Sequence, residues 1–287
     1  MNSFSNELQT GLDAVRQAAA VCRSVQNSIS ADSLEKKDKS PVTVADFASQ
    51  ALICRTLQQA FPDDPVIGEE GAAELREESG AAFLNRIVEE CGAVGVTADG
   101  DQICSWIDRG GLQEYRQRFW TLDPIDGTKG FLRKDQYAIS LALIIEGKIE
   151  IGILGCPNMP LNSSQPEGPR GILAWAVRGE GSYFQPLDNA DAEPQKLSVS
   201  STASSQESRF CESVESGHSS HGWSGQIAAQ LGITREPFRC RRLDSSRADS
   251  RQGGARSSSR RVCCSAQQQC KPTHLLPAPA NHCKAAH

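Results

Sequence analysis

Basic charge, long apolar runs and an ordered set of cysteines are all missing from this chain, and each absence closes off a class of function. Lysine and arginine number 30 against 35 aspartate and glutamate, a formal net charge of −5. Nucleic-acid binders carry a clustered positive field; no general footprint of that kind is visible, so no nucleic-acid partner is expected. No apolar run approaches the roughly 20 residues that span a bilayer, so no membrane partner is expected either. The opening residues, Met1-Asn-Ser-Phe-Ser-Asn-Glu7, lack the basic, apolar and small-residue order of a secretory signal. A cytoplasmic location is the expectation, with an organellar address left open. The eleven cysteines are odd in number and irregularly spaced, which gives no disulfide framework. Cys22, Cys54, Cys91, Cys104, Cys156 and Cys211 are scattered through predicted elements and read as small buried hydrophobes. What is present is 38% hydrophobic residues over 287 positions, enough to core one large domain or two small ones.

Periodicity predicts the elements. Leu8, Leu12, Val15, Ala19, Cys22, Val25 and Ile29 form one apolar stripe, a helix over 7–29. A polar, lysine-rich loop over 31–41 leads to a second helix over 43–60, with Thr43 or Asp46 near its start. A short Val66-Ile67 strand follows, then a helix over 81–91; the Gly-rich, polar stretch 92–117 gives no assignment. Residues 137–145 and 148–154 flank Glu146-Gly147 as a β-hairpin. A proline-rich loop over 157–170 precedes short strands near 172–177, 181–185, 196–200 and 209–213. A last helix runs from Trp223 to Leu231, with Gly232 as its C-cap.

The chemistry concentrates in Phe119-Trp-Thr-Leu-Asp-Pro-Ile-Asp-Gly-Thr-Lys-Gly-Phe131. Its apolar first half reads as a strand entering a turn. Pro124 fixes its own φ and keeps Asp123 extended. Asp123 and Asp126 then stand at the mouth of a strand beside Gly127, where the backbone can come close to a ligand. Such carboxylates suit a hard cation and a phosphate group; the Ile125 carbonyl could complete a Mg²⁺ shell and Thr128 could hold a water. The N–H groups of Gly127 and Thr128 can bind phosphate oxygens. Upstream, Ile67-Gly-Glu-Glu70 ends a strand in acids, and Ser40-Pro-Val-Thr-Val-Ala-Asp46 leads into a helix with Asp46 in its first turn. On its own Asp46 reads as a carboxylate stabilised by the helix macrodipole, and Glu69 as a surface acid. Trp120 and Trp175 read as core positions.

These three segments, in this order, resemble the lithium-sensitive, Mg²⁺-dependent phosphatases of the inositol monophosphatase superfamily. The strings at 40–46 and 120–131, with Glu215-Ser-Gly-His-Ser-Ser-His221, are most similar to its 3′(2′),5′-bisphosphate nucleotidases. The likeness runs from about residue 7 to about residue 237. It implies a layered α/β (α+β) sandwich with an N-terminal metal-binding domain over 1–160 and a partial C-terminal domain over 161–237. It also implies a monomer acting on a nucleotide bisphosphate, with Mg²⁺ held by Glu69, Asp123, Asp126 and the Ile125 carbonyl. Thr128 would orient the attacking water with Asp46 as base, and Gly127, Thr128, Ser220 and His221 would contact the substrate. An inositol polyphosphate 1-phosphatase is the alternative substrate reading.

From Phe238 onward the character changes. Ten basic residues stand against two acids in these last 50, and five of the eleven cysteines fall here without strand alternation or a helical stripe. Such a composition cannot bury enough apolar surface to offset its ordering entropy, so 238–287 reads as a disordered, non-homologous tail. The resemblance implies a final metal ligand and nucleotide-clamping residues in this region. Their absence from the sequence suggests a shifted reading frame near residue 238, and with it a catalytically impaired chain; a lineage-specific tail is the alternative.

Overall fold

The structure, a computed structural model, describes residues 4–29, 40–212 and 221–239. Helix α1 (Ser5–Ser28) buries the stripe expected of it, from Leu12 through Val25. Helix α2 (Ser40–Ala60) begins earlier than its apolar pattern indicates. Pro41 sits in its first turn, where a missing N–H costs nothing and the fixed φ suits the helix. Strand β1 (Val66–Ile67) follows, then helices α3 (Ala81–Ala93) and α4 (Gly100–Asp108). Helix α4 occupies the stretch that periodicity left unassigned. Asp99 and Gln102 close a reciprocal capping box at its start, and Ile103, Cys104 and Ile107 are buried.

Strand β2 (Arg118–Asp126) runs into the short helix α5 (Thr128–Leu132). Strands β3 (Ala138–Ile145), β4 (Lys148–Pro160), β5 (Arg170–Val177), β6 (Gly181–Pro186) and β7 (Gln195–Leu197) complete a seven-stranded sheet in sequential order. β1 pairs with β2 in parallel and every later pair is antiparallel. Glu146 and Gly147 both have positive φ (51° and 76°), as the tight β3–β4 turn requires. The expected proline-rich loop is shorter than the sequence suggests. β4 continues through Pro157 to Pro160, which pairs with Arg170 across a register shift. Prolines are tolerated there because the ladder is already irregular. Among the described residues, those up to Ser201 form one compact unit and Thr202–Arg239 belong to a second.

One sheet face carries Trp120, Leu122, Ile139, Leu141, Leu143, Ile151, Ile153, Leu173 and Trp175 into the main core beneath α1 and α2. The other face holds a smaller cluster around Ile172, Ala174 and Phe184. Trp120 is fully buried, stacks on Phe61 and donates its indole N–H to Asp64 at 3.0 Å. Arg118 joins Asp64 at 2.9 Å and Glu7 at 3.1 Å, tying α1 to the sheet. Cys22, Cys54, Cys91, Cys104 and Cys156 are buried free thiols. Burial pushes the Cys54 and Cys91 thiols up to about 12, which leaves them protonated and inert.

The second compact unit contains strand β8 (Cys211–Glu212), helix α6 (His221–Leu231) and strand β9 (Phe238–Arg239), with β8 and β9 paired in parallel. Gly232 follows α6 with φ 68°, the left-handed C-cap expected from sequence. Ser220 and residues 240–287 lie outside the described residues. Among the described residues no helix is long and apolar enough to cross a membrane.

Candidate functional site

The acidic turn is built by the end of β2. Asp123 still pairs across the sheet with Ser140, and Asp126 pairs with Ala138 after a register shift. Between them the Asp123 carboxylate accepts the Ile125 N–H at 3.1 Å, closing an Asx-type turn. The Ile125 side chain is buried in the core, which anchors the turn from below. The Pro124 carbonyl accepts the Ser49 hydroxyl of α2 at 3.2 Å, so helix and turn are pinned together. Gly127 takes a left-handed conformation (φ 93°, ψ 45°) that turns the chain straight into α5, and Thr128 is exposed as the first residue of that helix.

Two buried amides fix the surroundings. Gln26 of α1 donates to the Phe131 carbonyl at 2.8 Å and accepts from Asn158 at 3.0 Å, holding the far end of α5. Gln50 of α2 accepts the N–H groups of Glu69 and Glu70, both at 3.0 Å. Sequence reasoning missed both glutamines. In a helix a glutamine reads as a surface residue, and its distant partners leave no local signal.

The carboxylates of these segments act on one another. Asp46 is half-buried, and its pKa is pushed from an ordinary 3.8 up to about 8, first by burial and then by Glu70, Glu69 and Asp123. Glu69 is raised by burial, Asp123 and Asp126, and Glu70 by burial, Glu69 and Glu74. The expected place of Asp46 in the first helical turn is therefore corrected. α2 starts at Ser40, Asp46 sits in the second turn, and burial together with neighbouring acids outweighs any macrodipole stabilisation. Glu70, given no role from the sequence, is the strongest charge acting on Asp46.

Among the described residues no three His, Cys, Asp or Glu side chains close into a ready-made metal group. The donor set still fits a hard divalent cation: it is all oxygen, and a bound positive charge would reverse the repulsion that lifts Asp46. No hydrogen bond joins Thr128 to Asp46 among the described residues, although α2 packs against α5. His221 begins α6, in the second compact unit.

Comparison with known proteins gives this geometry its context. The sequence matches the inositol monophosphatase family over residues 5–250, beyond the point at which the likeness was expected to end. It is 42% identical over 252 residues to a 3′(2′),5′-bisphosphate nucleotidase of Schizosaccharomyces pombe, an alignment taking in 82% of this chain and 71% of that protein. It is 38% identical over 251 residues to 3′(2′),5′-bisphosphate nucleotidase 2 of Candida albicans, covering 80% of this chain and 70% of that one. In fold it is similar to the crystal structure of CysQ from Bacteroides thetaiotaomicron, a bacterial member of the same family. The TM-score there is 0.51 at 18% identity, over 83% of this chain and 73% of that one. By the extent of the family match and the identity to these relatives, the chain belongs to the inositol monophosphatase family.

Proposed function

We propose that this chain is a Mg²⁺-dependent 3′(2′),5′-bisphosphate nucleotidase. It is a phosphatase that converts adenosine 3′,5′-bisphosphate to AMP and phosphate and acts likewise on 3′-phosphoadenylyl sulfate. The observation that carries the reading is the mutual field of Asp46, Glu69, Glu70, Asp123 and Asp126, in a chain whose curated relatives bear that enzyme's name. Glu69, Asp123, Asp126 and the Ile125 carbonyl would hold Mg²⁺, which when bound supplies charge neutralisation and a more acidic water.

The remaining roles fall to the chain itself. Thr128, exposed at the start of α5, orients the attacking water. Asp46, whose pKa the neighbouring acids and burial raise in the metal-free chain and a bound cation would lower again, takes up its proton as base. The main-chain N–H groups of Gly127 and Thr128 face the phosphate oxygens, and Ser220 and His221 contact the nucleotide. The protein acts as a monomer in the cytoplasm. The test is phosphate release by the purified full chain from adenosine 3′,5′-bisphosphate and from inositol 1,4-bisphosphate, with Mg²⁺ and with a chelator. Mg²⁺-dependent turnover that favours the nucleotide is expected. Preference for the inositol substrate would replace the substrate assignment, and no release from either would refute the activity.

A further inference from the structure

Gln50 lies one helical turn beyond Asp46 on α2 and is fully buried. Its amide is saturated. The oxygen accepts the Glu69 and Glu70 N–H groups, both at 3.0 Å; the nitrogen donates to the carbonyls of Glu70 at 2.7 Å and Ile107 at 2.9 Å. An amide has two donors and two acceptor sites, and all four are used. The orientation follows: oxygen meets only donors and nitrogen only acceptors, so a carboxylate in the same place would face two carbonyls.

The surroundings are shaped to this amide. A Cβ on Gly68 would come within 2.5 Å of its oxygen, and one on Gly110 within 2.6 Å of its nitrogen. These two glycines are themselves joined, Gly68 N–H to the Gly110 carbonyl at 2.8 Å. One buried side chain thus clasps the acidic loop to α2 and to the end of α4.

We propose that Gln50 is a positioning residue for the phosphatase site. It sets the main chain of Glu69 and Glu70 against Asp46, so that acids from the loop and the helix face one cation. The inference rests on the proposed Mg²⁺-dependent activity and adds to it the group that holds the acidic loop in register. Glutamine adds nothing to the core that a hydrophobe of equal length would not supply. What it alone supplies is the four-way connection between α2, the loop and α4.

The test uses the full chain with Gln50→Met, which keeps length and removes the amide. Leu173→Ala in β5, a fully buried site on another element, serves as a stability control. Two quantities are read: the Mg²⁺ concentration at half-maximal rise in melting temperature without substrate, and the Mg²⁺ dependence of phosphate release from adenosine 3′,5′-bisphosphate. Gln50→Met is expected to raise both midpoints about 10- to 100-fold, the usual cost of losing a group that orients metal ligands. Leu173→Ala is expected to lower the melting temperature and leave both midpoints unchanged.

Wild-type midpoints in a folded Gln50→Met overturn the inference, and so does an equal shift in Leu173→Ala. Should Gln50→Met fail to fold, Gly110→Ala displaces the amide without removing it and must move the midpoints in the same direction; unchanged midpoints there also overturn it. A wild-type chain with neither a Mg²⁺ response nor phosphate release refutes the proposed function and this inference together. A responsive wild type beside an unmoved variant refutes the inference alone.

Discussion

Asp46 is held at a cost to the fold, and the cost can be read by titration. Its ordinary pKa of 3.8 applies in the unfolded chain; in the folded chain it lies at about 8. Between these values the folded state keeps a proton that the unfolded state releases. Stability from this group is therefore greatest at low pH, declines as pH rises above 3.8, and is fully lost above 8. Each pH unit within that window removes about 1.4 kcal/mol, so the step from pH 5 to pH 8 would remove about 4 kcal/mol if Asp46 titrated alone. Glu69 and Glu70 are raised as well and titrate with it as a group, so about 4 kcal/mol is the order of the loss expected from the cluster. In a domain of this size that is a fall of roughly 5–15 °C in melting temperature. The assay is thermal unfolding in a chelator from pH 5 to pH 8, for wild type and Asp46→Asn. The variant should be the more stable protein at pH 8 and show a flatter profile. Mg²⁺ should raise the wild type more than the variant, because the cation replaces the missing proton. A variant less stable than wild type at pH 8 in chelator would refute the reasoning, since Asp46 would then be stabilised by its surroundings.

Two further substitutions separate catalysis from packing. Thr128→Ala, at an exposed position, should leave the melting temperature within about 2 °C of wild type while kcat falls by about 10²- to 10⁴-fold, the range for a lost proton-transfer partner. Trp120→Phe removes the bond to Asp64 and should cost about 1–2 kcal/mol in denaturant unfolding with no change in KM, as a core residue and not a stacking platform requires.

Much of this architecture was legible because it is local. The apolar stripe of α1, the Glu146-Gly147 turn and the Asp-Pro-Ile-Asp-Gly-Thr string each carry their own instructions within a few residues. Helix α4 was equally local and was passed over. Asp99 with Gln102 three positions later is a capping box, but its glycine-rich flanks hid the short buried stripe behind it. Strand β4 outran its sequence signal because a register shift between Cys156 and Pro160 makes room for its prolines. Gln50 lay beyond reach for a different reason. Its partners are 20 and 57 positions away, and only the folded chain shows that a mid-helix glutamine is an interior clasp. The acids were recognised one at a time from their motifs. That Glu70, Glu69 and Asp123 add to burial in raising the pKa of Asp46 is a property of three elements meeting.

The seat of α1 on the sheet reaches the same site from a distance. Gly11 faces Ile153, and a Cβ on Gly155 would lie 2.7 Å from Val15 Cγ1. Gly155 is ordinary extended backbone paired with Ile139 and Leu173, so alanine there brings no conformational strain. Any loss in Gly155→Ala must come from pushing Val15, and overpacking of this kind costs about 1–3 kcal/mol. Val15→Ala alone removes two fully buried methyl groups and costs about 2–3 kcal/mol. Together the two changes fit, so the double variant should be more stable than the sum of the losses by about 1 kcal/mol or more in denaturant unfolding. Strict additivity would mean that α1 does not rest on Gly155. From Val15 to Gln26 the helix spans about 16 Å as a stiff rod, and Gln26 grips the Phe131 carbonyl at the end of α5. A tilt forced at Gly155 therefore arrives beside Thr128, and phosphate release should fall in Gly155→Ala and recover in the double variant.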